Sequence, residues 1–173
     1  MKLNYKKSLK LITLIITSLL IATASASYYR YLYIQGTVVI TSGGLTWVKG
    51  VETAGTVDVY GSTATVSLSV NNGTTNNITN HLYLKNLDSG GHDITIDITD
   101  AADSELYEAN GFSITIYDNS TGTFIALLNV LSTSSSYSGT ITGDAVWHIT
   151  FQIITKPNAE TPGDAFAVQF TYE

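Results

Sequence analysis

Apolar and polar residues alternate with a period of two over much of the chain. Val66-Ser67-Leu68-Ser69-Val70, Ile94-Thr95-Ile96-Asp97-Ile98 and Ile149-Thr150-Phe151-Gln152-Ile153 each put an apolar side chain at every second position. In extended backbone this turns one face to a core and leaves the other wet. Together with the frequency of Val, Ile, Thr and Tyr, the alternation predicts eleven strands, near 28–40, 45–48, 56–60, 64–70, 80–87, 93–98, 112–117, 123–128, 138–141, 145–155 and 165–172. Turn residues stand between them: Asn71-Asn72-Gly73, Ser89-Gly90-Gly91, Asp118 to Gly122, Lys156-Pro157-Asn158 and Thr161-Pro162-Gly163-Asp164. Only Asp100 to Ala109 reads as a helical turn or two. Short strands at regular spacing predict an all-β fold, an antiparallel β-sandwich of immunoglobulin-like or jelly-roll-like type.

The first 26 residues break this pattern. Lys2, Lys6, Lys7 and Lys10 precede an apolar run from Leu11 to Ala22, and Ala24-Ser25-Ala26 follows. This is the grammar of a cleaved signal peptide, with Ala24 and Ala26 at the cleavage site and Ser27 as the first mature residue. The run is too short to cross a bilayer, which takes roughly 20 residues. The expected organisation is a signal peptide over 1–26, an N-terminal extension over 27–40 and one sandwich domain over 41–173.

Cleavage changes the charge. The full chain carries a net charge of −6, and the leader holds four of its eight basic residues and none of its fourteen acidic ones, so the mature protein stands at −10. Such a balance argues against nucleic acid as a partner and against an anionic membrane surface; contact with a membrane is expected only in passing, through the leader. Cysteine is absent, so an exported domain of this kind is held without disulfides.

Chemistry is sparsely signalled. His81, His92 and His148 lack any short ligand spacing, and no serine lies in a nucleophile elbow. Asp97, Asp100, Asp103, Glu105 and Glu108 crowd one stretch, a density that suits calcium but does not follow an EF-hand loop; the plainer reading is a solvated acidic segment, and a glycosidase carboxylate pair is a rival one. No catalytic residue, metal or cofactor is assigned. Asn72-Gly73-Thr74, Asn77-Ile78-Thr79 and Asn119-Ser120-Thr121 are N-glycosylation sequons. Trp47 and Trp147 read as core residues; a secreted carbohydrate-binding module would instead set Trp47, Trp147 or Tyr137 on a sugar-stacking face.

The strongest oddity is the mature N-terminus, Ser27-Tyr28-Tyr29-Arg30-Tyr31-Leu32-Tyr33-Ile34. Chain ends are usually frayed and soluble, yet this one is a β-prone ribbon whose bare edge invites aggregation. Gly36 reads as a hinge after it. Either the ribbon is the first strand of its own sandwich, or it fills a groove in a neighbouring copy by β-strand addition. A heterologous contact of the second kind propagates into a filament.

The leader ending Ala24-Ser25-Ala26, the extended N-terminus, Thr41-Ser42-Gly43-Gly44-Leu45-Thr46 and the cysteine-free all-β remainder with Leu84-Lys85-Asn86-Leu87 in mid-chain resemble the subunits of archaeal threads and bundling pili, relatives of the TasA and camelysin fibre proteins. The resemblance implies an extracellular homopolymer of sandwich subunits joined by N-terminal donor strands, glycosylated in the thread case and serving adhesion to surfaces or other cells and biofilm formation. By position, Tyr28, Tyr29, Arg30, Tyr31, Leu32, Tyr33 and Ile34 would be the donor strand.

Overall fold

The computed structural model describes residues 31–40, 44–51, 55–157, 159 and 163–173, with the backbone alone for Tyr31, Leu32, Tyr33, Asn80 and His81. The expected leader over 1–26, with its cleavage residues Ala24, Ala26 and Ser27, lies outside the described residues, as do Tyr28, Tyr29 and Arg30.

The described residues form eleven strands and no helix: β1 (Tyr31–Ile40), β2 (Leu45–Lys49), β3 (Gly55–Tyr60), β4 (Thr63–Asn71), β5 (Thr75–Asn86), β6 (His92–Asp100), β7 (Tyr107–Asp118), β8 (Phe124–Asn129), β9 (Ser136–Ile141), β10 (Val146–Thr155) and β11 (Asp164–Tyr172). They make two sheets, one ordered β3-β4-β1-β11-β6-β9 and the other β2-β5-β10-β7-β8. The fold is an all-β sandwich, as the alternation predicts. The inward rows of β4 and β10 are the apolar rows of the sequence pattern.

Aromatic residues tie the two sheets across the core. Trp47 of β2 meets Phe170 of β11 edge-on at 5.1 Å, and Phe112 of β7 meets Phe166 of β11 edge-on at the same distance. Both tryptophans are buried, as the sequence suggests. Asn86 is the buried polar group that fixes the far end of β5. Its Nδ2 donates to the carbonyls of Gly90 and Thr142 at 2.9 and 3.0 Å, and its Oδ1 accepts from Asp88 N at 3.0 Å. A fully partnered buried amide pins two loops at little desolvation cost.

Three expectations are corrected. Asp100 to Ala109 makes no helical turn that continues. Leu106 N donates to Asp103 O at 3.0 Å, Asp103 N instead bonds the Asp164 carboxylate, and β7 begins at Tyr107. The tertiary anchor at Asp164 outcompetes the local helix. β5 starts at Thr75 and not near Asn80, because Thr75, Asn76 and Asn77 pair with Ile154, Ile153 and Gln152 of β10; an available partner strand overrides the low β-propensity of asparagine. Gly36 is no hinge, since β1 runs through it unbroken.

Candidate assembly site

β1 lies in the interior of its sheet. It pairs antiparallel with β4 over Tyr31↔Asn71 to Val39↔Thr63, and parallel with β11 over Ile34↔Asp164 to Ile40↔Phe170. All the other strand pairs of the described residues are antiparallel. Without β1, β4 and β11 would flank a one-strand gap.

The inward row of β1 is Ile34, Gly36, Val38 and Ile40, and its three aliphatic side chains are buried. At about 2 kcal/mol each they contribute about 6 kcal/mol of apolar burial, alongside main-chain bonds on two sides. The far end is held by Ser62, whose carbonyl accepts from Ile40 N at 2.8 Å and from Trp47 Nε1 of the opposite sheet at 3.1 Å. At the near end, Tyr31, Leu32 and Tyr33 pair with Asn71, Val70 and Ser69 of β4, while the parallel pairing with β11 begins at Ile34. Beside this end lies an open depression of about 730 Å³, bordered by Ile34, Gln35, Leu68, Ser69, Asp164 and Ala165. The part of β1 that is paired on both sides is therefore Ile34 to Val39, which lies beyond most of the segment from Tyr28 to Ile34 singled out in the sequence.

Asp164 forms the corner of this groove. Its carboxylate accepts from the Tyr107 hydroxyl at 2.7 Å, from Asp103 N at 3.2 Å and from Ala165 N at 2.8 Å. Burial pushes the Tyr107 phenol far above its usual range, and the hydrogen bond to Asp164 with the charges of Asp164 and Asp103 adds to the shift. It stays protonated and donates.

The other candidate residues do not converge. Among the described residues, no three His, Asp or Glu side chains come together as a metal-binding group. His92 bonds Asp88 through Nε2 at 2.9 Å and packs edge-on against Tyr172, while Asp93 accepts from the Thr140 hydroxyl at 2.7 Å. His148 stacks on Tyr83 at 5.2 Å and 27°, and burial lowers its pKa. Trp47 and Trp147 are in the core, with half-buried Tyr137 edge-on to Trp147 at 6.3 Å, so the two tryptophans present no open sugar-stacking face.

The three sequons differ. Asn77 and Asn119 are exposed, Asn77 on β5 and Asn119 in the β7–β8 turn. That turn is held by Asp118 Oδ1, which accepts from the Ser120 hydroxyl at 2.6 Å and from Thr121 N at 2.8 Å; these bonds hold the Asp118 carboxyl below its ordinary pKa. Asn72 is half-buried; its Nδ2 donates to the Ala159 carbonyl.

One feature has no signature in the sequence. Register aligns Val48, Tyr83, His148, Tyr117 and Phe124 in a single row across all five strands of the β2-β5-β10-β7-β8 sheet. The pairing of strands distant in sequence creates the row, so no local signal marks it.

No protein-family model matches the chain, and no curated protein is similar to it at a significant level.

Proposed function

We propose that the protein is the structural, non-catalytic subunit of an extracellular surface filament, assembled head-to-tail by donation of β1 between copies and serving adhesion and biofilm formation. The observation that carries the reading is the position of β1. It is the first strand of the described fold, lies at the sheet interior, and runs parallel to the last strand. Among the described strands β1 is joined in sequence to β2 alone, so it can be exchanged without threading another strand's connection through the groove. Exchange between copies keeps every contact of β1 and changes only the route of its connection to β2, which is the general basis of domain swapping. The structure makes these contacts within one chain, as a closed monomer, and this is the rival state. The lack of cysteine adds weight, since the joint must be held by burial and main-chain bonds.

A carbohydrate-binding module is the weaker reading, because the tryptophans that would serve it are buried. Negative-stain microscopy of the purified secreted chain tests the proposal. Uniform thin fibres are expected, and a protein that stays monomeric at high concentration sinks it.

A further inference from the structure

The inward row of β1 has one missing side chain, at Gly36, and its partner across the parallel pairing is Phe166. A Cβ built at residue 36 would fall inside the Phe166 ring, against Cζ, Cε1 and Cε2. That ring is 3% exposed. It packs against Phe112 at 5.1 Å and 79° on one contact and against Phe151 at 6.3 Å and 58° on another, so it has no vacant space to swing into. Gly36 is not among the residues with positive φ. Its role is close approach, and not an unusual backbone conformation.

We propose that Gly36 and Phe166 are the register lock of the strand joint: the groove between β4 and β11 admits only a strand that brings a glycine opposite Phe166. This rests on the filament reading for its partner, a second copy of this chain, though the lock itself acts on whichever β1 fills the groove. Sliding the strand by one residue turns Gln35 and Thr37 into the core. A slide of two residues sets Ile34 or Val38 against the ring, which overpacks the site. Only one register leaves both the aliphatic positions and the ring satisfied. The groove therefore selects a strand of pattern apolar-x-Gly-x-apolar-x-apolar, as in Ile34-Gln35-Gly36-Thr37-Val38-Val39-Ile40.

A second glycine shows why the geometry at 36 carries information. Gly139 is covered by the ring of Tyr137, but that ring belongs to the same strand and moves with it. At Gly36 the ring comes from a different strand, so it reports the register of the pair.

The test uses the full secreted chain with Gly36→Leu, with Phe166→Ala, and with both changes. Gly36→Leu should lower the thermal midpoint by roughly 5–10 °C and abolish fibres. Phe166→Ala opens a cavity and should also lower the midpoint. The double variant should recover most of the loss, since the introduced leucine enters the space vacated by the ring. Mixing the two single variants in equal amounts should carry Gly36→Leu chains, which form no fibres alone, into fibres, because the introduced leucine then meets the introduced alanine while Gly36 meets Phe166. If the double variant recovers stability but the mixture leaves the Gly36→Leu chains unassembled, the lock stands within one chain and the filament reading falls. A Gly36→Leu variant that melts and assembles like the parent overturns the lock, as does a double variant no more stable than Gly36→Leu.

Discussion

The Tyr107 hydroxyl donates to the Asp164 carboxylate at 2.7 Å from a buried position, and so joins the start of β7 to the start of β11, where the parallel pairing with β1 begins. Because the phenol is held protonated, its folded pKa lies above the unfolded value near 10. The stabilisation is present in full below about pH 10 and is lost as pH rises beyond it. Absorbance titration near 295 nm should show one tyrosine that ionises only as the fold opens. Tyr107→Phe should remove that delayed step and cost about 1–2 kcal/mol in denaturant unfolding.

His148 provides the opposite sign. Burial disfavours its charged form, so its contribution is present above the unfolded pKa of about 6.5 and is lost as pH falls through the lower folded value. NMR titration should give a midpoint below 6.5 for this ring. Tyr83→Ala, which strips away the stacked partner, should move the midpoint back upward.

Asn86 holds two loops with one amide. Asn86→Ala removes the partner of the Gly90 carbonyl and of the Asp88 N–H and leaves the Thr142 carbonyl with Ala145 N alone, and should cost about 2–4 kcal/mol by urea unfolding. Asn86→Asp should be no milder, since it replaces a donating amide by a buried carboxylate facing two carbonyls.

These effects show which parts of the molecule the sequence carries openly. Strand alternation such as Val66 to Val70 is local, because each inward residue is two positions from the next, so both the sandwich and the burial of Trp47 and Trp147 can be anticipated. The meaning of Gly36 is not local. It depends on Phe166, which lies far along the chain and is brought alongside by a parallel pairing that no turn signal announces. The same holds for Thr75 to Asn77, which fall outside the strand expected near 80–87 until β10 supplies partners, and for Asp103, whose N–H is taken by Asp164. The glycine is visible as an interruption, but its reason is not.

Glycan occupancy should follow the accessibility of the amide nitrogen. In a host that glycosylates sequons, peptide mass mapping should find additions at Asn77 and Asn119 and none at Asn72, whose Nδ2 is bonded to the Ala159 carbonyl. Occupancy at Asn72 would show that this contact yields before or during modification.

The most direct measurement of strand donation uses the absence of cysteine. Thr37 of β1 and Thr65 of β4 are register partners, at a spacing within the range a disulfide spans. In the Thr37→Cys, Thr65→Cys variant of the chain, oxidation followed by denaturing electrophoresis without reductant should yield a ladder of covalent multimers. A single band of internally crosslinked monomer, at every protein concentration, would contradict the account.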